Sequence, residues 1–208
     1  MRPHWVLREL GLDYECKPIL ARSGETKAPE YTALNPRQKI PLLQDGAFTI
    51  GESAAIVAYL ARKYREKSNL IPADEIEHAR WLEWCFFIVT ELDSTSLYVM
   101  RRHSTGKGLA HIYGKSPSVV ARAGEYFKAQ LKHAELALAD ERSYLLGDQF
   151  TTADVRLPTC LTWATEYRLG LPDGLSGYLE RMTNRGNYRA ALDANKSPIC
   201  HLSRRSDV

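Results

Sequence analysis

The sequence predicts an α/β N-terminal unit followed by an all-helical C-terminal domain, on three observations. Two apolar-rich runs joined by Asp45-Gly46 read as a hairpin at 40–50, and a helix follows at once. A polar, turn-forming stretch from Arg65 to Pro72 then interrupts the pattern. Beyond it only helical periodicity is found. The expected division is 1–65 for the first domain, 66–73 for a linker and 74–208 for the helical domain.

Residues 4–12 read as the body of a helix, with Trp5, Leu7, Leu10 and Leu12 apolar and Arg8 and Glu9 facing water. Gly11 sits where such a helix stops. Tyr14 to Ile19 is expected as a short strand. Gly24, Pro29 and Pro36 make 21–36 a loop with one helical turn near Pro29. After the hairpin, a helix from Ser53 to about Tyr64 carries an apolar stripe of Ile56, Val57, Leu60 and Tyr64. In the second domain one long helix is expected from about Asp74 to Arg102, its inner face formed by Leu82, Cys85, Phe86, Val89 and Leu92. Another begins at Ser116-Pro117, a capping serine followed by a first-turn proline. Shorter helices are expected at about 152–169, 176–184 and 187–194.

Composition narrows the function classes. The 208 residues are 44% hydrophobic and 25% charged, with 28 basic against 25 acidic side chains and a net charge of +3. That balance leaves no concentrated basic face for nucleic acid. No apolar run approaches the ~20 residues needed to span a bilayer. The N-terminus lacks the apolar core of a secretory signal. Cys16, Cys85, Cys160 and Cys200 are widely separated, with no CxxC and no histidine at ligand spacing, which argues against a disulfide framework and a zinc site. A reducing, cytoplasmic setting is expected, with no metal and no membrane or nucleic-acid partner.

Two short features carry chemistry. Pro41 lies inside a strand-like run, where it cannot donate to a ladder. It marks either an edge strand or a cis Ile40–Pro41 peptide that frees the backbone of Ile40 for an extended ligand. Glu52-Ser53 stands at the mouth of a helix. There a free hydroxyl and free amides suit a carboxylate, and a neighbouring acid suits an ammonium. The alternative is a serine that only caps its helix.

The run Asn35-Pro36-Arg37-Gln38-Lys39-Ile40-Pro41-Leu42-Leu43, then Asp45-Gly46, then Gly51-Glu52-Ser53-Ala54-Ala55-Ile56 resembles the N-terminal domain of the glutathione transferases. The stretch from Tyr144 to Asp154 is similar to that family's C-terminal folding motif, in which Thr151 and Asp154 form a capping-box variant and Phe150 and Val155 a hydrophobic staple. The resemblance covers nearly the whole chain. It implies a thioredoxin-like first domain, a homodimer and glutathione as co-substrate. By the same resemblance Glu52 and Ser53 hold the γ-glutamyl end, Ile40 beside cis-Pro41 bonds the cysteinyl backbone, and Gln38 or Lys39 reaches the glycyl end.

A family member of this kind begins with a strand and a loop whose Tyr, Ser or Cys stabilises the glutathione thiolate. Here Met1 to Leu10 already reads as the first helix, so the first strand is expected to be missing: either the natural start lies upstream of Met1, which is the preferred reading, or the protein is a shortened one with damaged or repurposed chemistry. No thiolate-stabilising residue is matched. The amides opening the first helix are the remaining candidates, with Arg2 and His4 as positive neighbours. Cys16 reads as inert core in the strand after that helix. For the electrophile pocket the resemblance points to Tyr98, Arg101, Arg102 and Tyr113 near the end of the long helix, and to Trp163 with Tyr167. Solvated arginines and core aromatics are the plainer readings of the same residues. The expected activity is attack of glutathione on a small apolar electrophile, or its use to transform one. The alternative is a non-catalytic binding or scaffold module of the same fold.

Overall fold

The computed structural model describes residues 1–20, 23–106, 108–140 and 142–196. Helix α1 spans Arg2–Glu9, with Pro3 in its first turn, where a missing N–H costs nothing. It ends just before Gly11, whose φ of +59° is a conformation that glycine adopts without a Cβ penalty. The strand expected over 14–19 does not form. A strand exists through its ladder, and among the described residues the ladder is confined to the hairpin. Cys16, expected in a core, is accordingly exposed.

A single turn of 3₁₀ helix at Glu25–Lys27 precedes α2, Pro29–Leu34. Strands β1 (Leu42–Asp45) and β2 (Phe48–Gly51) pair antiparallel, Leu43 opposite Ile50 and Asp45 opposite Phe48. The two-residue turn is therefore Gly46-Ala47, one residue later than Asp45-Gly46. With φ of +60° at Gly46 and none positive at Ala47, it follows the type II′ pattern, which asks for glycine at its first position. Helix α3, Ser53–Lys63, follows without a loop and buries Ile56, Val57, Leu60 and Ala61.

The long helix of the second domain is helix α4 (Glu75–Phe87), a π-helical stretch (Ile88–Leu97) and α5 (Tyr98–His103) in direct succession. In the π stretch the Ser96 hydroxyl donates to the carbonyl of Glu91, five residues back, at 2.6 Å. The inner face differs from the expected one. Trp81, Trp84, Cys85, Ile88, Leu92 and Leu97 are buried, whereas Phe86 is 65% exposed and Leu82 also faces outward. The two tryptophans present the larger apolar surface, and Trp81 satisfies its indole N–H on the Thr152 hydroxyl at 2.9 Å.

Helix α6 is a single turn at Ala110–Tyr113, and α7 spans Pro117–Ala137 with Ala123, Phe127, Leu131 and Ala134 buried. Ser116 stands at the N-cap of α7, but its side chain caps no backbone amide. Helix α8 (Thr152–Glu166) opens with the capping box: Thr151 Oγ1 accepts from the amide of Ala153, and Asp154 accepts from that of Thr151 at 2.9 Å. The ring of Phe150 meets Tyr144 edge-on, with centroids 5.5 Å apart. Helices α9 (Asp173–Thr183) and α10 (Gly186–Asn195) complete the described chain.

Two compact units result, one of Met1–Asn69 with the chain from Arg185, the other Leu70–Asn184. The boundary lies near the expected linker, but α10 joins the first unit rather than the helical domain. The reason is α1. Trp5 packs edge-on against Tyr188 at 4.9 Å. Glu9, expected to face water, is a nearly buried carboxylate that accepts from the Trp5 indole, Arg185 and Asn187 at 2.8–3.1 Å. The second unit has its own core around Ile88, Leu92, Phe127, Leu131, Leu161 and Tyr178.

Candidate functional site

In the first unit the hairpin and α3 bring together the residues singled out at 38–41 and 52–53. The Ile40–Pro41 peptide is cis. The chain ahead of it is pinned at one atom: the Lys39 carbonyl accepts from the Tyr31 hydroxyl at 2.6 Å and from the Asn35 amide at 2.7 Å. Asn35 and Tyr31 are both buried, so the approach to Pro41 is fixed from beneath. Ile40 itself is 48% exposed, and its backbone forms no hydrogen bond among the described residues. Gln38 has φ of +54° and donates from its side-chain amide to Thr32 Oγ1 at 3.2 Å.

Eleven residues after Pro41, β2 passes into α3 through Glu52, whose φ of +65° is unusual for a residue with a side chain. Such a conformation is held only where the surroundings enforce it, and it concentrates at ligand sites. Helix α3 has no side-chain cap, and the Ser53 hydroxyl has no partner among the described residues. The positive end of an eleven-residue helix thus lies beside a serine hydroxyl with no side-chain cap from its N-cap residue. Arg37 lies against this corner, its Nη2 2.7 Å from Glu52 Oε1. The sequence reading passed over Arg37, although it sits within the Asn-Pro run. A cation four residues before cis-Pro41 was the available signal. The pairing across the hairpin was not.

Arg2 opens α1, while His4 proves not to be a positive neighbour. Burial, then the N-terminal ammonium and Arg8, lower its imidazole from the usual 6.5 to about 4, so it is neutral near pH 7. Its Nδ1 lies 2.9 Å from the Tyr14 hydroxyl.

The other named residues gather in the second unit. Tyr98 and Arg102 are one turn apart on α5 and share a face. The Tyr98 ring meets Trp163 of α8 edge-on at 5.0 Å, and Trp163 lies 6.4 Å from Tyr167. The Arg102 guanidinium stacks over Tyr113 of α6 at 5.7 Å. His103 Nδ1 ties the end of α5 to the Gly114 carbonyl at 3.0 Å. Arg101 is half-buried on the neighbouring face. The result is an aromatic surface with a guanidinium at one end, suited to a flat apolar molecule with an anionic or electron-rich edge. No group of three or more His, Cys, Asp or Glu among the described residues is arranged to hold a metal. No described helix is long and apolar enough to cross a membrane.

Comparison with known proteins agrees with this architecture in both halves. Residues 1–63 match the family model described as glutathione S-transferase, N-terminal domain, and residues 117–181 match the glutathione S-transferase, C-terminal domain. Glutathione S-transferase GstA of Escherichia coli O157:H7 is 29% identical over 195 residues, which cover 92% of this chain and 91% of that protein. Glutathione S-transferase 4 of Zea mays is 32% identical over 166 residues, 78% of this chain and 72% of the relative. Among solved structures, glutathione transferase URE2P6 of Phanerochaete chrysosporium, in complex with oxidised glutathione, superposes with a TM-score of 0.78 at 25% identity, over 92% of this chain and 89% of that one. On these matches the chain belongs to the glutathione S-transferase family.

Proposed function

We propose that this chain is a glutathione-dependent enzyme that binds glutathione at the corner of the hairpin and α3 and delivers its sulfur to a small apolar electrophile. One observation carries the reading: Glu52, held at φ of +65°, stands next to an uncapped helix start and the unpartnered Ser53 hydroxyl. The γ-glutamyl end of glutathione carries a carboxylate and an ammonium. Ser53 with the start of α3 complements the first, and the Glu52 carboxylate complements the second. The exposed backbone of Ile40 then takes the cysteinyl peptide group in the manner of an added strand. Gln38 and Lys39 lie toward the glycyl carboxylate. Fixing the tripeptide along its length holds the thiol in one place, and positioning of this kind is a large part of the rate advantage in conjugation.

The aromatic face of Tyr98, Trp163 and Tyr113, with Arg101 and Arg102 beside it, is the surface we assign to the electrophile. The reading includes a homodimer in the cytoplasm.

Calorimetric titration of glutathione tests it. Saturable binding is expected, weakened about tenfold in Ser53→Ala, the equivalent of one hydrogen bond to a charged group. An activated aryl chloride then separates enzyme from binding module. Thioether formation above the uncatalysed rate supports the enzyme, while tight binding without turnover supports the module. Absence of binding by folded protein rejects both.

A further inference from the structure

Outside the site described above, His4, Tyr14 and Cys16 form a cluster that holds an exposed thiol. Gly11, at φ of +59°, turns the chain after α1 so that the next segment runs back beside His4. Tyr14 is held from two sides: its ring lies 5.5 Å from the His4 ring and 5.2 Å beneath the Arg8 guanidinium. Its hydroxyl is 2.9 Å from His4 Nδ1. The other ring nitrogen, Nε2, faces Cys16 Sγ at 4.0 Å, the outer reach of a hydrogen bond to sulfur. Nucleophile, adjoining imidazole and a third group that orients the imidazole are thus in sequence, and Cys16 is exposed.

The other described cysteines make the contrast. Cys85 is buried and accepts from Arg156 at 2.7 Å, and burial pushes its thiol up to about 11. Cys160 is buried and donates to Asp93 at 3.1 Å. Neither is open to a reagent.

We propose that Cys16 is a site of mixed-disulfide formation with glutathione disulfide, and that His4 and Tyr14 position its sulfur. His4 is neutral near pH 7 and carries one N–H and one lone pair. With the Tyr14 O–H as donor to Nδ1, the tautomer the proposal requires, the Nε2–H is directed at Sγ. In the reaction the thiol proton passes to bulk water. The Cys16 sulfur forms a bond to one sulfur of the disulfide, the original S–S bond breaks, and one glutathione departs as its thiolate. One disulfide is consumed and one is formed, so the oxidant is the glutathione disulfide itself. This site is independent of the Glu52–Ser53 corner and does not rest on the function proposed there.

The test is a time course of the whole protein with excess glutathione disulfide at neutral pH, mapped by mass spectrometry of tryptic peptides. The peptide containing Cys16 is expected to gain one glutathionyl group, while Cys85 and Cys160 stay unmodified. The rate should exceed that of a synthetic peptide of residues 13–18 about tenfold, the effect of one hydrogen bond to a charged sulfur. His4→Phe should lose the advantage. His4→Gln, whose side-chain amide places an N–H near the position of Nε2–H, should keep most of it, an outcome that a purely structural histidine would not give. Modification no faster than in the peptide, modification at Cys200 ahead of Cys16, or equal rates in the two His4 variants overturns the proposal. Near-UV circular dichroism of both variants establishes that they fold. If neither does, the comparison of wild type with peptide decides.

Discussion

At the scale of single residues, His4 shows how far packing moves a group from its solution chemistry. Its imidazole is desolvated in the fold and lies near two cations, the N-terminal ammonium and Arg8, with Tyr14 and Cys16 as its other titratable neighbours. Each influence named for its shift penalises the imidazolium, so its pKa drops from 6.5 to about 4. Between these values the unfolded chain binds a proton at His4 that the folded chain refuses. The contribution of His4 to stability is therefore complete above pH 6.5 and is lost as the pH falls toward 4. Urea unfolding of wild type and His4→Phe across this range should show the wild type losing more stability on acidification. The N-terminal amine, lowered from 8.0 to about 6 mainly by burial, titrates mostly above that window and is common to both proteins. Parallel curves below pH 6.5 would remove His4 as the cause. Arg37 makes a complementary point. Its ion pair with Glu52 joins two side chains that are each more than half exposed, so its contribution to stability is small and its interest lies in where it places charge.

At the scale of elements, the entry to α8 is the best-determined join in the second unit. Asp154 is fully buried and accepts four hydrogen bonds: from the Leu145 amide, the Tyr178 hydroxyl, the Thr151 amide and the Thr151 hydroxyl, at 2.8–3.1 Å. One carboxylate thereby ties the loop before α8, the start of α8 and the middle of α9. Asp154→Asn replaces one acceptor oxygen with a donor facing donors and should cost about 3 kcal/mol; Tyr178→Phe removes a single bond and should cost about 1 kcal/mol. Urea unfolding followed by far-UV circular dichroism measures both, and equal losses would show that the carboxylate is not the hub. This join was legible in the sequence because a capping box is local: Thr151 and Asp154 are three residues apart. The same holds for α3, for the glycine-led hairpin and for the proline-opened α7. Features that depend on distant partners were not legible. Residues 14–19 have a strand-like pattern but no ladder to join. The turn falls at Gly46-Ala47 because cross-strand register decides among local options. Phe86 and Leu82 lost the inner face to Trp81 and Trp84, which meet Thr152 of α8 and His133 of α7. At the candidate site, cis-Pro41 and the Glu52-Ser53 pair were readable from their order. Arg37 was not assigned, because its partner lies fifteen residues away across the hairpin.

At the scale of the whole molecule, the proposed tasks fall on two units with separate cores. The residues proposed for glutathione, at 38–41 and 52–53, all belong to the first unit, and those proposed for the electrophile, at 98–113 and 163, all belong to the second. Two ligands separate these tasks in one hydrogen-exchange experiment. Glutathione alone should slow exchange of the amides at 40 and 53–55, where the hairpin meets α3, and leave 98–103 and 159–166 unchanged. At a free concentration about a hundred times Kd, amides that exchange only from ligand-free protein gain about 2.7 kcal/mol of protection, equivalent to roughly hundredfold slower exchange. Bromobenzene, a small apolar aryl halide, is the second ligand. Alone it should leave 40 and 53–55 unchanged and protect α5, α6 and the segment around Trp163, where Tyr98 packs on the indole and Arg102 on Tyr113. The first pattern without the second would leave glutathione in place and remove the electrophile assignment. Identical maps that both reach into α5 would mean that the second unit responds to the tripeptide itself, and the division of tasks would fall. Without protection in either unit, the hairpin corner would be a structural turn whose unusual φ serves only the passage from β2 into α3.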